Sequence, residues 1–282
     1  MSGATVGDRP TAVRKKPRGQ AARAKPSDPV TVHAMADMAW ETAGKGGLYL
    51  KSVRREQDAG RFLGLVRIEE GVRTGLHQHQ DVATSYVLQG ALTDYAGTVT
   101  RGQAGINFRG DTHDAIAYEN CVLASRMDGP TLYAADGATD HQLHAGARQA
   151  AFATLDRSRQ PDLNVTVAEQ RPLPTFVPGM VMRMVFDYAG TGHDRRMLCL
   201  QLQPGTAMPP YRATGLVDWF VVAGDIAVNG RQVLANSFVV QPEGSEMHAG
   251  SGHGCMLIAW AEGPVQWLDG ADRADPYGFP PV

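Results

Sequence analysis

The sequence predicts an all-β protein built from two tandem copies of one domain. Three observations carry that reading. Short runs of β-branched, aromatic and aliphatic residues recur between turn residues. Glycine and proline number 32 and 17 of 282 residues, while only 20% of residues are charged, a balance that favours many turns over long helices. A stretch of the second half also repeats one of the first without a gap.

The elements follow in chain order. Residues 1–30 carry Arg9, Arg14, Lys15, Lys16, Arg18, Arg23 and Lys25 against Asp8 and Asp28, with almost nothing large and apolar. This composition predicts a disordered basic tail, the alternative being an arm for nucleic acid, a membrane surface or organelle targeting. Helical periodicity surfaces weakly, in "TVHAMADMAWE" (31–41). Strands are then expected in "GLYLKSV" (47–53), "FLGLVRI" (62–68), "TSYVLQG" (84–90), "CVLASRM" (121–127) and "TLYAADG" (131–137). The second series is "MVMRMVFDY" (180–188), "MLCLQLQ" (197–203), "WFVVAGDIAVNG" (219–230), "SFVVQP" (237–242) and "CMLIAWA" (255–261). Asn229-Gly230 between apolar flanks predicts a hairpin.

With Gly71 placed over Gly205, "GVRTGLHQHQDVATSYVLQGAL" lies on "GTAMPPYRATGLVDWFVVAGDI", and Gly90 falls on Gly224. At nearly the same offset Cys121 falls on Cys255, and His113 falls one residue from His248. The polar segment 138–172 separates the copies, which places them at 31–150 and 172–282 with a linker at 151–171.

Composition narrows the function. The net charge of −2 offers no global field for nucleic acid or an acidic partner. Cys121, Cys199 and Cys255 form no CxxC pair, and their odd, sparse number fits a reducing, cytoplasmic setting rather than a disulfide framework. No apolar run reaches the roughly 18 residues of a membrane span, and the N-terminus lacks a secretory apolar core. No P-loop, GxSxG or dinucleotide glycine fingerprint is present.

The candidate chemistry lies in the first copy. His77 and His79 alternate on a strand, so both imidazoles share one face. Such a pair on an exposed strand needs no metal. Here His113 follows from a distant strand, and three neutral imidazoles can bind one side of a divalent ion. Asp81 would share the face if the strand stays regular, and Ser85 and Val87 have the parity of Ala83, so they would line the same cavity. Ser85 and Asp81 are therefore the candidates for contacts behind or beside the metal, and Phe108 with the apolar strands would keep the cavity dry.

The intervals resemble those of the cupins, which are small double-stranded jelly rolls. Gly71, His77, His79 and Gly90 meet the spacing of the first cupin motif, with Ala83 in the glutamate slot. Gly102, Gly110 and His113 fit the second, with Phe108 in the proline slot and Ala117 in the asparagine slot. The resemblance implies two tandem jelly-roll cupin domains and a metal held by His77, His79 and His113. In the second copy Tyr211, Ala213 and Val217 replace the first-motif ligands and only His248 remains, so no metal is expected there. A ligand pocket around Tyr211, Trp219 and His248 is the alternative to plain packing. His141 and His144 in the inter-copy segment read as a polar loop.

A three-histidine site without the glutamate is most similar to the ChrR-like cupins and the β-diketone-cleaving dioxygenases. That likeness implies one divalent ion, Fe(II) first and Zn, Mn or Ni as alternatives. It also implies O2 and a small bidentate oxygen substrate, a diketone or hydroxyketone, in a homodimer. A sensory cupin of the ChrR type is the second reading, but the CxxC of its zinc module is absent. A Zn- or Mn-dependent lyase or isomerase is the third.

Overall fold

The computed structural model describes residues 29–44, 46–94, 97–133, 163–188 and 195–280. The basic tail, the greater part of the inter-copy segment with His141 and His144, and the end of "TLYAADG" lie outside these residues. The strands of the first part are β1 (Thr31–Ala34), β2 (Glu41–Thr42), β3 (Leu48–Glu56), β4 (Arg61–Ile68), β5 (His77–His79) and β6 (Ala83–Gln89). They continue as β7 (Ala91–Asp94), β8 (Gly97–Thr100), β9 (Gln103–Asn107), β10 (Thr112–His113), β11 (Cys121–Met127) and β12 (Thr131–Tyr133). The second part has β13 (Asn164–Thr166), β14 (Leu173–Pro174), β15 (Met180–Asp187), β16 (Arg196–Leu202), β17 (Thr206–Ala213) and β18 (Val217–Val228). It ends with β19 (Arg231–Leu234), β20 (Ser237–Gln241), β21 (Glu246–Ser251), β22 (Cys255–Ala261) and β23 (Val265–Trp267).

The protein is all-β, and the expected strands stand where the apolar runs placed them. Among the described residues helix is confined to two 3₁₀ turns, Met35–Asp37 and Val167–Glu169. The weak helical pattern over 31–41 is thus overturned. Its first residues form β1, which pairs antiparallel with β20 from Thr31↔Val240 to Ala34↔Ser237. A free sheet edge there outweighs a helix of about three turns, because short helices are marginal without packing. The Asn229-Gly230 hairpin forms as expected, with both residues at positive φ, 49° and 81°.

A seven-stranded sheet runs β13-β9-β6-β11-β4-β3-β2, facing a three-stranded sheet β10-β5-β12 and the hairpin β7-β8. The second series forms a larger sheet along β14-β15-β16-β22-β18-β21-β17-β23, to which β1, β19 and β20 add. Each series borrows one strand. β1 precedes the first series yet joins the second sheet, and β13, inside the expected linker 151–171, joins the first.

The central strands are buried on both faces. One face of β4, β6, β9 and β11 contributes Leu63, Leu65, Tyr86, Ile106 and Ala124 to a core shared with Phe220, Phe238, Ile258 and Trp260 of the other sheet. This explains why these runs read as nearly continuous apolar sequence. Phe108 belongs to this shared core and not to the cavity, so its expected role in drying the cavity is corrected. A buried charge network crosses the same junction. Arg54 donates to both carboxylate oxygens of Asp218 at 3.0 and 2.7 Å. Arg126 reaches Asp128 at 3.0 Å, Asp218 at 3.3 Å and Glu262, while Arg195 reaches Asp128 at 2.7 Å.

Candidate metal centre

The site forms where the three-stranded sheet faces the cavity side of the seven-stranded one. β5 is only three residues long, and the alternation of a strand buries His77 and His79 while Gln78 is part-exposed. β10 pairs with β5 so that His113 stands directly across from His77. β12 closes the other side, with Tyr133 across from His77 and Thr131 across from His79.

The three side chains converge. Their ligand atoms lie within 4.8 Å of one another, and Nε2 of His113 is 3.0 Å from Nε2 of both His77 and His79. The atoms behind the rings set which nitrogen carries hydrogen. His77 Nδ1–H donates to the Gly75 carbonyl at 2.7 Å, an atom that can only accept. His113 Nδ1–H donates to Asp94 Oδ2 at 2.7 Å. In the neutral rings both Nε2 atoms then present bare lone pairs toward one point.

Burial, followed by the neighbouring His113, lowers the His77 pKa to about 4, although the Gly75 carbonyl, Asp114 and Asp94 oppose the shift. Burial with His113 and His77 pushes His79 well below the usual histidine range. Bare lone pairs 3.0 Å apart repel unless a cation stands between them. Two nitrogens held at right angles about 2.1 Å from an ion stand about 3.0 Å apart, against about 3.4 Å for a tetrahedron. The donor set therefore fits one divalent cation with positions left open.

The histidines face a cavity of about 490 Å³ with a largely apolar wall that includes Leu48, Leu50, Val66, Leu92, Leu123 and Met127. Ala83 lines it, so that position offers a methyl group on the wall rather than a ligand. Ser85 lines it too, with its hydroxyl 2.7 Å from that of Ser125 on β11. Val87 packs in an adjacent cluster with Ile68, Cys121 and Leu123. Asp81 sits in the turn between β5 and β6, where its carboxylate accepts the Val82 N–H at 2.8 Å. The convergent group comprises the three histidines without Asp81.

Asp94, Asn107 and Ser125 were not singled out from the sequence. Asn107 is visible only through pairing, since β9 sets it directly across from Ala83. Nothing in the local sequence marks Asp94, which ends a short strand of the β7-β8 hairpin.

In the second series the equivalent positions are filled. Tyr211, Ala213, Val217, Trp219 and Met247 are all buried in one apolar cluster with Tyr277, and the Tyr211 and Tyr277 hydroxyls meet at 2.9 Å. At the constant offset of the repeat, Met247 rather than His248 replaces His113. His248 is exposed, so the alternative pocket of Tyr211, Trp219 and His248 does not assemble. Strand parity decides this, because adjacent residues face opposite sides.

Three inward histidines over a largely apolar cavity, on a β fold of this kind, make a candidate metal centre. In agreement, the sequence model of the ChrR Cupin-like domain matches residues 28–130. The chain shares its fold with oxalate decarboxylase of Bacillus subtilis. The structure of that enzyme at pH 4.6 aligns with a TM-score of 0.58 at 14% identity, covering 88% of this chain and 80% of the other. A structure described for the enzyme's Mn(II) centres aligns with a TM-score of 0.58 at 13% identity, covering 89% and 81%. At that identity the likeness establishes fold alone. No curated protein sequence matches the chain. Among the described residues no helix is long and apolar enough to cross a membrane.

Proposed function

We propose that the protein is a metal-dependent enzyme, a non-haem dioxygenase that holds Fe(II) at His77, His79 and His113. Its substrate is a small molecule with two oxygen donors, a diketone or hydroxyketone, whose carbon–carbon bond is cleaved with O2. One observation carries this reading: a face of three imidazoles with no carboxylate in the convergent group opens onto a largely apolar cavity, and Ala83 of its wall cannot serve as a fourth ligand. A divalent ion there supplies a Lewis acid that favours an enolate and, as Fe(II), a redox partner for O2.

The chain supplies the rest. Asp94 and the Gly75 carbonyl hold two of the imidazoles in the ligating tautomer. The leucine-rich part of the wall accepts a carbon skeleton. The same reading makes 31–150 the metal-bearing cupin domain and 172–282 its metal-free companion, with 151–171 between them. Its partners are the small molecule and O2, not nucleic acid or membrane, and the assembly is a homodimer.

The test is anaerobic loading with Fe(II), Mn(II) or Zn(II) in turn, followed by O2-uptake assays with a panel of diketones and hydroxyketones. Uptake with Fe(II) is expected, and His77→Ala should lose both metal and activity. Turnover without O2 uptake, with Mn(II) or Zn(II), would replace this reading with a lyase or isomerase. Mn(II) is included because oxalate decarboxylase, which shares the fold, has Mn(II) centres. Metal binding with no turnover would favour a sensory role, in line with the ChrR Cupin-like match. Unchanged metal content in His77→Ala would sink the site itself.

A further inference from the structure

The cavity has a polar feature that metal binding does not use. On the wall formed by the seven-stranded sheet, Asn107, Ser85 and Ser125 line the space among leucines. Asn107 stands across from Ala83 and Ser85 across from Ser125, so the three lie in adjacent rows of neighbouring strands. Among the described residues the Asn107 carboxamide has no hydrogen-bond partner. The two serine hydroxyls bond each other at 2.7 Å. That contact uses one of their two O–H donors, and the other is left for the cavity. An amide and a hydroxyl donor that face the cavity without a protein partner are available to a ligand's oxygen, which would take the place of water there.

We infer that Asn107 and the Ser85–Ser125 pair form a subsite for an additional, uncharged oxygen of the substrate, a hydroxyl or carbonyl beyond the two that face the metal. The inference rests on the reading of the site given above and narrows its substrate to a neutral, polyoxygenated ketone. The row itself carries no formal charge, and the charged residues of the lining, Arg55, Glu56 and Arg61, are exposed, with Arg61 and Glu56 paired at 3.7 Å, so the row suits a neutral oxygen that needs no counter-charge. Asn107 stands beside the slot vacated by the missing glutamate, so the recognised oxygen lies close to the chelating pair.

The experiment measures binding to the Fe(II)-loaded protein under argon, with the metal-free protein as control. The probes are pentane-2,4-dione, 1-hydroxypentane-2,4-dione and acetoacetate. The hydroxylated diketone is expected to bind about tenfold more tightly than pentane-2,4-dione, the worth of one good hydrogen bond. Asn107→Ala and Ser125→Ala should each reduce that preference to less than about threefold, with iron content and pentane-2,4-dione binding unchanged. Ser85→Ala serves in place of Ser125→Ala if the latter does not fold. A preference that survives these variants, no preference at all, or tightest binding by acetoacetate would overturn the subsite. Absence of metal-dependent binding by all three probes would instead overturn the reading of the site, and the subsite with it.

Discussion

His113 shows how the atoms behind a ligand set its chemistry. Its Nδ1–H is held by Asp94 at 2.7 Å, which leaves Nε2 bare and aimed at His77 and His79. Asp94→Asn should weaken metal binding by about 10–100-fold while all three histidines remain. Competition with a chromophoric chelator measures this, and unchanged affinity would show that Asp94 only packs. The cysteines make a second case at this scale. Burial raises Cys121 and Cys199 to about 12 and Cys255 to about 11. Above about pH 9, the ordinary value of a thiol, the unfolded chain gives up protons that the native state keeps. Their stabilisation is therefore intact below that pH and falls as pH rises toward the folded values, by about 1.4 kcal/mol per pH unit for each thiol. Denaturant titrations at pH 8.5 and 10.5 should show this loss, and native protein at pH 8 should resist thiol reagents.

At the scale of elements, the repeated glycines separate into two kinds. Gly71 and its counterpart Gly205 both adopt φ of 78°, but a Cβ there would meet open space. Gly90 and Gly224 also have positive φ, and a Cβ would run into the carbonyl oxygen of Asn120 or Gly254. The first pair answers a turn, and the second answers a turn and a close approach of backbone. Gly71→Ala should cost about 1 kcal/mol, whereas Gly90→Ala should cost more than about 2 kcal/mol and broaden the unfolding transition. Equal losses in chemical denaturation would contradict this ordering. The same scale explains the short β5. Three residues suffice because β10 and β12 flank it, so His77 and His79 are positioned by neighbours rather than by strand length.

Across the whole molecule, the two sheets are joined by exchange and by charge. β1 and β13 each complete the sheet of the other series, and Trp260 donates to Thr84 Oγ1 across the junction at 2.9 Å. Asp218 is fully buried between Arg54 and Arg126. Asp218→Ala would leave the buried Arg126 short of one counter-charge, at a cost of about 3–5 kcal/mol. The loss should appear as a lower melting temperature for the whole chain in calorimetry. A separate early transition confined to one half would show that the junction does not couple them. The asymmetry between the two series also belongs to this scale. One cavity stays open under three histidines, while the corresponding space is filled by Tyr211, Met247 and Tyr277.

Local pattern was enough to place the ten apolar strands, though not β9, β17 or β21, and with them the Asn229-Gly230 hairpin and the pair His77 and His79, because strand periodicity and turn chemistry act over a few residues. The repeat and the glycine intervals extended that to His113 and Ala83. Other features lay beyond local pattern because they depend on which strand lies beside which. β1 left its own series for the other sheet, Phe108 turned to the shared core, and Asn107 met Ala83 only across a β ladder. Asp94 reached His113 from a separate hairpin, and parity assigned Met247, not His248, to the interior. The sequence by itself determined the all-β class and the three candidate ligands. Only the tertiary structure decided what stands behind them and what lines the space in front, since those contacts join residues distant in the chain.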